Sequence, residues 1–328
     1  MPTRLSICIP TYNRATLLSL LLNSIEREAS PDQVEIAISD NSSTDDTESV
    51  VRAFASRWPS LVYHREAVNL GPDRNYLKCV AISTSPYCWL MGSDDCIAPG
   101  AASRILELLS DHPHDVYLGT RINCTFDMQP QGIETWLSSQ NERFFNFSSE
   151  SDFLEYHQRT LTLGALFSYL SSIVVRRASW DKYPMREHYI GSAYSHAWLL
   201  LQVARESGIY YTPEPFVLNR GGNDHFAQDG AARRLLLDLD GYLMLANDLY
   251  QAAGVHRDAF LGALRRAHPA LRTVMALRSR IDDSHWSDVT RTLLSCGYPS
   301  SLINLVGPLH SLLAAALSIK HALQRIRG

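Results

Sequence analysis

The sequence predicts an α/β domain built on a mostly parallel sheet flanked by helices, followed by a helical C-terminal extension. Three observations predict it. Short apolar runs rich in β-formers alternate with helix-length segments through residues 1–110. Polar clusters follow three of those runs directly, after Pro10, Ser39 and Met91, where the carboxyl ends of parallel strands place ligands. From about Ala231 onward nearly every segment has helical spacing.

The elements follow in order. Residues 5–10 (LSICIP) form a buried strand, and 16–25 carry leucines at helical spacing. Residues 34–39 (VEIAIS) are a second strand, 47–58 a helix, 61–64 a third strand and 75–83 a helix. Residues 87–91 (YCWLM) make a fourth strand and 99–110 another helix. Such alternation gives βαβ units, and βαβ units give a parallel sheet. Beyond it, 171–176 (SSIVVR) are strand-like and 192–206 form a helix with a wide apolar face. Residues 210–219 form a strand that two prolines assign to an edge or break. A boundary near Gly230 separates residues 1–229 from a helical region, 230–328.

Bulk properties narrow the function classes. Of 328 residues, 45% are hydrophobic and 20% charged, enough for a sizeable core. The net charge of -4 offers no basic footprint for nucleic acid. None of the six cysteines is spaced CxxC, so they read as buried reduced thiols of a cytoplasmic protein. The N-terminus shows no basic stretch leading into an apolar one, so no secretory signal is expected. Residues 292–319 lack Asp, Glu, Lys and Arg, which raises the question of a membrane span. Pro299, Asn304, Gly307, Pro308 and His310 argue against one. From Leu309 the pattern is instead amphipathic: Leu309, Leu312, Leu313, Ala316, Leu323 and Ile326 recur at helical spacing, and Lys320, Arg325 and Arg327 are basic. Such a helix suits an anionic membrane surface, or equally packing on the body or a partner chain.

The polar clusters carry the chemistry. After the first strand, Thr11 and Asn13 are placed to cap a helix. After the second, Asp40 stands where it can accept hydrogen bonds from a base or ribose, and Thr44 and Asp45 cap the next helix. Asn69-Leu70-Gly71-Pro72 makes a turn that leads to Arg74, a residue suited to stacking on a base or pairing with phosphate. After the fourth strand, Gly92-Ser93-Asp94-Asp95 ends in adjacent carboxylates. These repel one another unless a cation such as Mg2+ or Mn2+ is shared with pyrophosphate oxygens. The alternative is a turn and helix cap before Pro99.

Together, residues 6–14 (SICIPTYNR), 38–47 (ISDNSSTDDT), 69–75 (NLGPDRN) and 92–95 (GSDD) resemble the family 2 glycosyltransferases of GT-A fold, in that family's order and spacing. Among its subgroups, the sequence looks most like O-antigen transferases of the abequosyltransferase type. The resemblance implies a GT-A-like domain over residues 1–229. Residues 1–110 would be its nucleotide-sugar-binding half and 111–229 its acceptor half. Pro10, Thr11, Tyr12 and Arg14 would line the base and ribose site, with Asn69 and Ser93 nearby. Asp40 would hold the base, Arg74 would sit over it, and Asp94 would be the main metal contact with Asp95 beside it. Gly92 departs from the family, which usually has a carboxylate there. Inverting members carry a catalytic aspartate before a helix that corresponds to residues 195–206; counting back from Gly208 puts His196 in its place. A histidine can take the acceptor's proton. Asp181, Glu187 and His188 are alternatives. The Gly-rich run after residue 217 offers Arg220 to stabilise the leaving diphosphate and His225 to complete a metal shell, or is an ordinary turn.

The implied function is inverting transfer of a sugar, such as the deoxysugars abequose or rhamnose, from a nucleotide diphosphate sugar. The implied acceptor is a polyprenyl-linked O-antigen intermediate at the cytoplasmic face of a bacterial inner membrane. Two rivals stand beside it. A nucleotidyltransferase would show a Gly-rich basic loop after the first strand, which PTYNR lacks. A degenerate sugar-nucleotide-binding protein would lose the acidic pair before the helix, as here.

Overall fold

In the computed structural model the described residues are 3–223, 230–312 and 314–315. The chain forms two compact units, Met1–Asn223 and Asp224–Gly328.

The first unit is built on a ten-stranded sheet. Its elements are β1 (Leu5–Thr11), α1 (Ala15–Glu28), β2 (Val34–Asp40), α2 (Thr47–Ala55), β3 (Leu61–Arg65), α3 (Pro72–Ile82) and β4 (Tyr87–Leu90). Then come β5 (Cys96–Ile97), α4 (Ala101–Asp111), β6 (Val116–Cys124), β7 (Pro130–Glu134), β8 (Arg143–Phe145) and α5 (Glu150–Arg159). The unit closes with β9 (Ile173–Arg176), α6 (Arg177–Trp180), α7 (Ser195–Ser207) and β10 (Ile209–Arg220). The main strand order is β3-β2-β1-β4-β9-β6-β10-β5, with β7 paired to β6 and β8 to β10. Strands β3, β2, β1, β4, β6 and β10 run in one direction; β9, β5, β7 and β8 run against them.

β1 and β2 are apolar along most of their length because helices cover both faces of a central parallel strand. Leu5, Ile7, Ile9, Val34, Ile36 and Ile38 are all fully buried. α1 turns Leu18, Leu21, Leu22 and Ile25 toward them at helical spacing. Leu18, Leu21 and Leu22 each withdraw a large aliphatic side chain from water, a gain of about 1.5–3 kcal/mol apiece. α3 begins with Pro72 after Gly71 at φ +84, a left-handed residue followed by a preset helical one.

Two details refine the expectations. Thr11 and Asn13 do not cap α1. Asp45 does so from the neighbouring loop, its Oδ2 accepting the Ala15 N–H at 3.0 Å, while its Oδ1 accepts the Thr47 N–H at 3.1 Å. Asn13 instead sits at φ +50 and accepts the Thr44 N–H at 2.7 Å. The strand with two prolines is not at an edge: β10 pairs with β6 on one side and with β8 and β5 on the other. Its ladder with β6 shifts register on both sides of Pro215, which absorbs the N–H groups that proline lacks.

The second unit is helical: α8 (Ala231–Leu249), α9 (Val255–Ala267), α10 (Ala270–Arg278), α11 (Asp283–Ser295) and α12 (Ser300–Val306). Leu239, Tyr242, Leu245, Phe260, Leu264, Leu277 and Leu293 are buried within it. Among the described residues, no helix is long and apolar enough to cross a membrane. Of the expected amphipathic helix, Leu309 and Leu312 are exposed; Leu313, Ala316, Lys320, Leu323, Arg325, Ile326 and Arg327 lie outside the described residues.

Candidate active site

The carboxyl ends of β1, β2, β4 and β10 bring the polar clusters to one edge of the sheet. Register sets the first pairing, because Thr11 of β1 lies opposite Asp40 of β2. Asp40 is fully buried, with both carboxylate oxygens engaged. Oδ1 accepts the Ser43 N–H at 2.8 Å, Oδ2 accepts the Tyr63 hydroxyl at 2.8 Å, and Arg65 lies 3.7 Å away. The carboxylate expected to hold a base is thus spent on the protein's own loop and has no exposed surface. Asn41 extends the tie: it donates to Asn69 Oδ1 at 2.7 Å and to the Gly71 carbonyl at 3.1 Å, and accepts the Leu70 N–H. Tyr12 is exposed and Pro10 half-buried at this edge. Arg74, exposed at the start of α3, pairs with Glu187 at 2.7 Å.

The acidic pair after β4 splits into two different groups. Asp95 is 4% exposed and accepts four hydrogen bonds: from Tyr169 Oη (2.7 Å), Ser171 Oγ (2.6 Å), Asn219 Nδ2 (3.3 Å) and the Arg220 N–H (3.2 Å). Burial, and then the adjacent charge of Asp94, push its carboxyl up to about 6. Asp94 is the one that faces outward. Its Oδ2 lies 2.7 Å from Arg14 Nη1 and accepts the Asn223 amide at 2.6 Å. Ser93 is buried between the β4 end and this pair.

Gly92 explains why the usual carboxylate is missing there. A Cβ at this position would stand 3.1 Å from Asp94 Oδ1, 3.1 Å from Asp95 Oδ2 and 3.3 Å from Ser171 Oγ. A side chain at residue 92 would crowd both carboxylates and Ser171, which suits glycine to this position. Arg220 closes the site from β10. It is 5% exposed, donates Nε to the Asp94 carbonyl at 2.8 Å and Nη1 to the Phe126 carbonyl, and keeps a buried Nη2 with no partner among the described residues. Thr11 Oγ1 and Asn75 Oδ1 are buried and, among the described residues, unpartnered at the same edge, with Asn75 Nδ2 on the Thr11 carbonyl at 3.1 Å.

His196 lies behind this edge and not on it. It is 4% exposed. Its Nε2 bonds the Phe167 carbonyl at 2.8 Å, which makes that nitrogen the protonated one, and Nδ1 is 3.4 Å from Tyr76 Oη. Tyr76 in turn donates to Asp73 and lies 2.9 Å from Ser195 Oγ. Burial lowers the His196 pKa, so the ring is neutral near pH 7. This corrects the expectation of a base open to an incoming hydroxyl: the ring is a buttress among α3, α7 and the Phe167 turn. Asp181, Glu187 and His188 are exposed. His225 lies outside the described residues.

Sequence reasoning missed Tyr63, Tyr169, Ser171, Asn75, Asn219 and Asn223. Ser171 and Asn219 stood at the ends of expected strands, a signal that was available; the tyrosines gave none.

Comparison with known proteins agrees with the architecture. Residues 6–181 match the family model described as Glycosyl transferase family 2. An abequosyltransferase of Salmonella typhimurium is 36% identical over 308 residues, 92% of this chain and 92% of the relative. A glucosyltransferase of Campylobacter jejuni, named for a GalNAc(5)-diNAcBac-PP-undecaprenol acceptor, is 24% identical over 163 residues, 48% of this chain and 52% of its own. Among solved structures, S. aureus TarS in complex with UDP-GlcNAc superposes with a TM-score of 0.65 at 14% identity, covering 95% of this chain and 88% of TarS. A Pyrobaculum calidifontis mannosyltransferase in complex with GDP-Man and Mn2+ gives 0.52 at 14% identity, covering 97% and 87%. At such identities these two speak to the fold alone, which is GT-A.

Proposed function

The chain belongs to glycosyl transferase family 2, and from that premise we propose that it transfers a deoxysugar of the abequose or rhamnose kind from a nucleotide diphosphate sugar to a hydroxyl of a lipid-linked O-antigen intermediate. Sugar transfer from a nucleotide sugar follows from the family and from the abequosyltransferase relative. The sugar, the acceptor and a place at the cytoplasmic membrane face are the finer part of the proposal.

One observation carries the site assignment. Thr11 Oγ1, Asn75 Oδ1 and Arg220 Nη2 are buried polar atoms left without partners among the described residues at one sheet edge. Such atoms are costly unless a ligand satisfies them. A nucleoside diphosphate offers what they lack: hydroxyls for Thr11 and Asn75, and anionic oxygens for Arg220.

The residues also suit a divalent cation. Mg2+ commonly takes one or two carboxylates and fills its shell with substrate phosphates. Asp94, the partly exposed carboxylate of the pair, supplies one such ligand. Asp95 has no oxygen to spare and serves to fix the loop. Bound there, Mg2+ or Mn2+ would neutralise charge developing on the leaving diphosphate. Arg220 adds a fixed cation to the same oxygens, aimed before the reaction begins. Asp40, through Ser43 and Asn41, holds the loop against which the base lies. The sealed ring of His196 leaves the inverting expectation without a base at that position.

The test is a thermal-shift screen with UDP-, GDP-, dTDP- and CDP-sugars, followed by transfer assays with the donor that stabilises. One donor class is expected to raise the melting temperature, and Asp94→Ala to remove transfer. No stabilisation by any donor, or full transfer by Asp94→Ala, would overturn the reading.

A further inference from the structure

We infer that Arg14 occupies the cation position on Asp94 until a nucleotide arrives, and so makes cation binding conditional on nucleotide binding. The inference rests on the reading of Asp94 as the carboxylate that holds the cation.

The geometry is specific. Arg14 Nη1 stands 2.7 Å from Asp94 Oδ2, with both side chains largely buried, at 17% and 20% exposure. Asn223 donates to the same oxygen at 2.6 Å. A divalent ion at Asp94 would add two positive charges beside the guanidinium, in a partly desolvated setting where repulsion is weakly screened. Asp94 and the adjacent Asp95 bring at most two negative charges against the four positive ones of the ion, Arg14 and Arg220. The cation alone must therefore displace Arg14, and the displaced side chain gains nothing in return.

A nucleoside diphosphate changes that balance. Its phosphates carry the negative charge that the cation and the guanidinium both need. The planar guanidinium can leave a single carboxylate oxygen and take two phosphate oxygens. Arg14 follows the carboxyl end of β1, and Asn13 and Ala15 on either side of it are held by Ser43 and Asp45 of the loop after β2. Cation and nucleotide then bind as a linked pair. By reciprocity, each raises the other's affinity by the same factor. Arg14 acts here as a positioning residue, because it sets the order of binding.

The experiment titrates Mn2+ alone, without nucleotide, into the full chain and reads the electron paramagnetic resonance of free Mn2+. Wild type is expected to bind weakly. Arg14→Gln and Arg14→Met, two uncharged replacements of different polarity, are expected to bind Mn2+ at least about tenfold more tightly, roughly 1.4 kcal/mol. Asp94→Asn in either background is expected to remove that binding. Equal Mn2+ affinity in wild type and both Arg14 variants, with loss only in Asp94→Asn, would overturn the gate and leave the cation reading intact. If no variant binds Mn2+, and stabilisation by nucleoside diphosphates is the same in EDTA as in Mn2+, the cation reading itself falls and takes the gate with it.

Discussion

At the scale of single residues, the site is a set of unequal carboxylates and one unequal arginine. Asp94 and Arg220 are the two that the proposed donor site uses, whereas Asp95 and Asp40 spend their hydrogen bonds on the protein itself. Arg220→Lys keeps the charge but loses the fork that spans the Asp94 and Phe126 carbonyls. We expect kcat to fall by about 10–100-fold with a smaller change in KM, as for loss of one transition-state contact. For His196 the expected effect is on stability. Its pKa is lowered in the folded state, so below about 6.5 the unfolded chain takes up a proton that the folded ring refuses. Its contribution is present above that pH and is lost as pH falls toward the folded pKa. His196→Gln should cost about 1–3 kcal/mol at pH 7 from broken buried hydrogen bonds. It should also flatten that acid limb in urea melts; an unchanged limb would show that other groups cause it.

At the scale of elements, loops act as clamps between neighbouring strand ends. Asp45 starts both α1 and α2. Asp45→Ala should therefore cost more than a single cap, about 1–2 kcal/mol or above, in chemical denaturation. β6 makes a second point. A Cβ on Gly119 would come within 2.5 Å of the Phe216 ring, so Gly119→Ala forces apart two paired strands. Overpacking of this kind costs about 1–3 kcal/mol, and a lowered melting temperature should report it. These elements also show what the sequence made legible. Strand ends were readable because apolar runs stop where the sheet meets solvent, so the step from apolar to polar residues was enough to locate Thr11, Asp40 and Asp94. The partners of Asp95 were not readable. Tyr169, Ser171 and Asn219 reach it only because β9 inserts between β4 and β6 and because β10 pairs with β6 in a shifted register. Those pairings are non-local, and no periodicity encodes them. His196 failed for a related reason: counting along a helix gives a position but not which way the surrounding chain closes over it.

At the scale of the whole molecule, β9 has a mechanical role. It is hydrogen-bonded to β4, which ends in the acidic pair, and to β6, which carries the second half of the unit. The two halves therefore share one continuous backbone lattice, with no hinge line between them. Amides of β4, β9 and β6 should exchange with solvent deuterium together, and only on global unfolding; faster exchange in β6 alone would show that the lattice opens locally. A chassis of this kind cannot rock open and shut around its substrates. On the proposed function, entry of the donor and escape of the spent nucleotide would then fall to the loops on its rim.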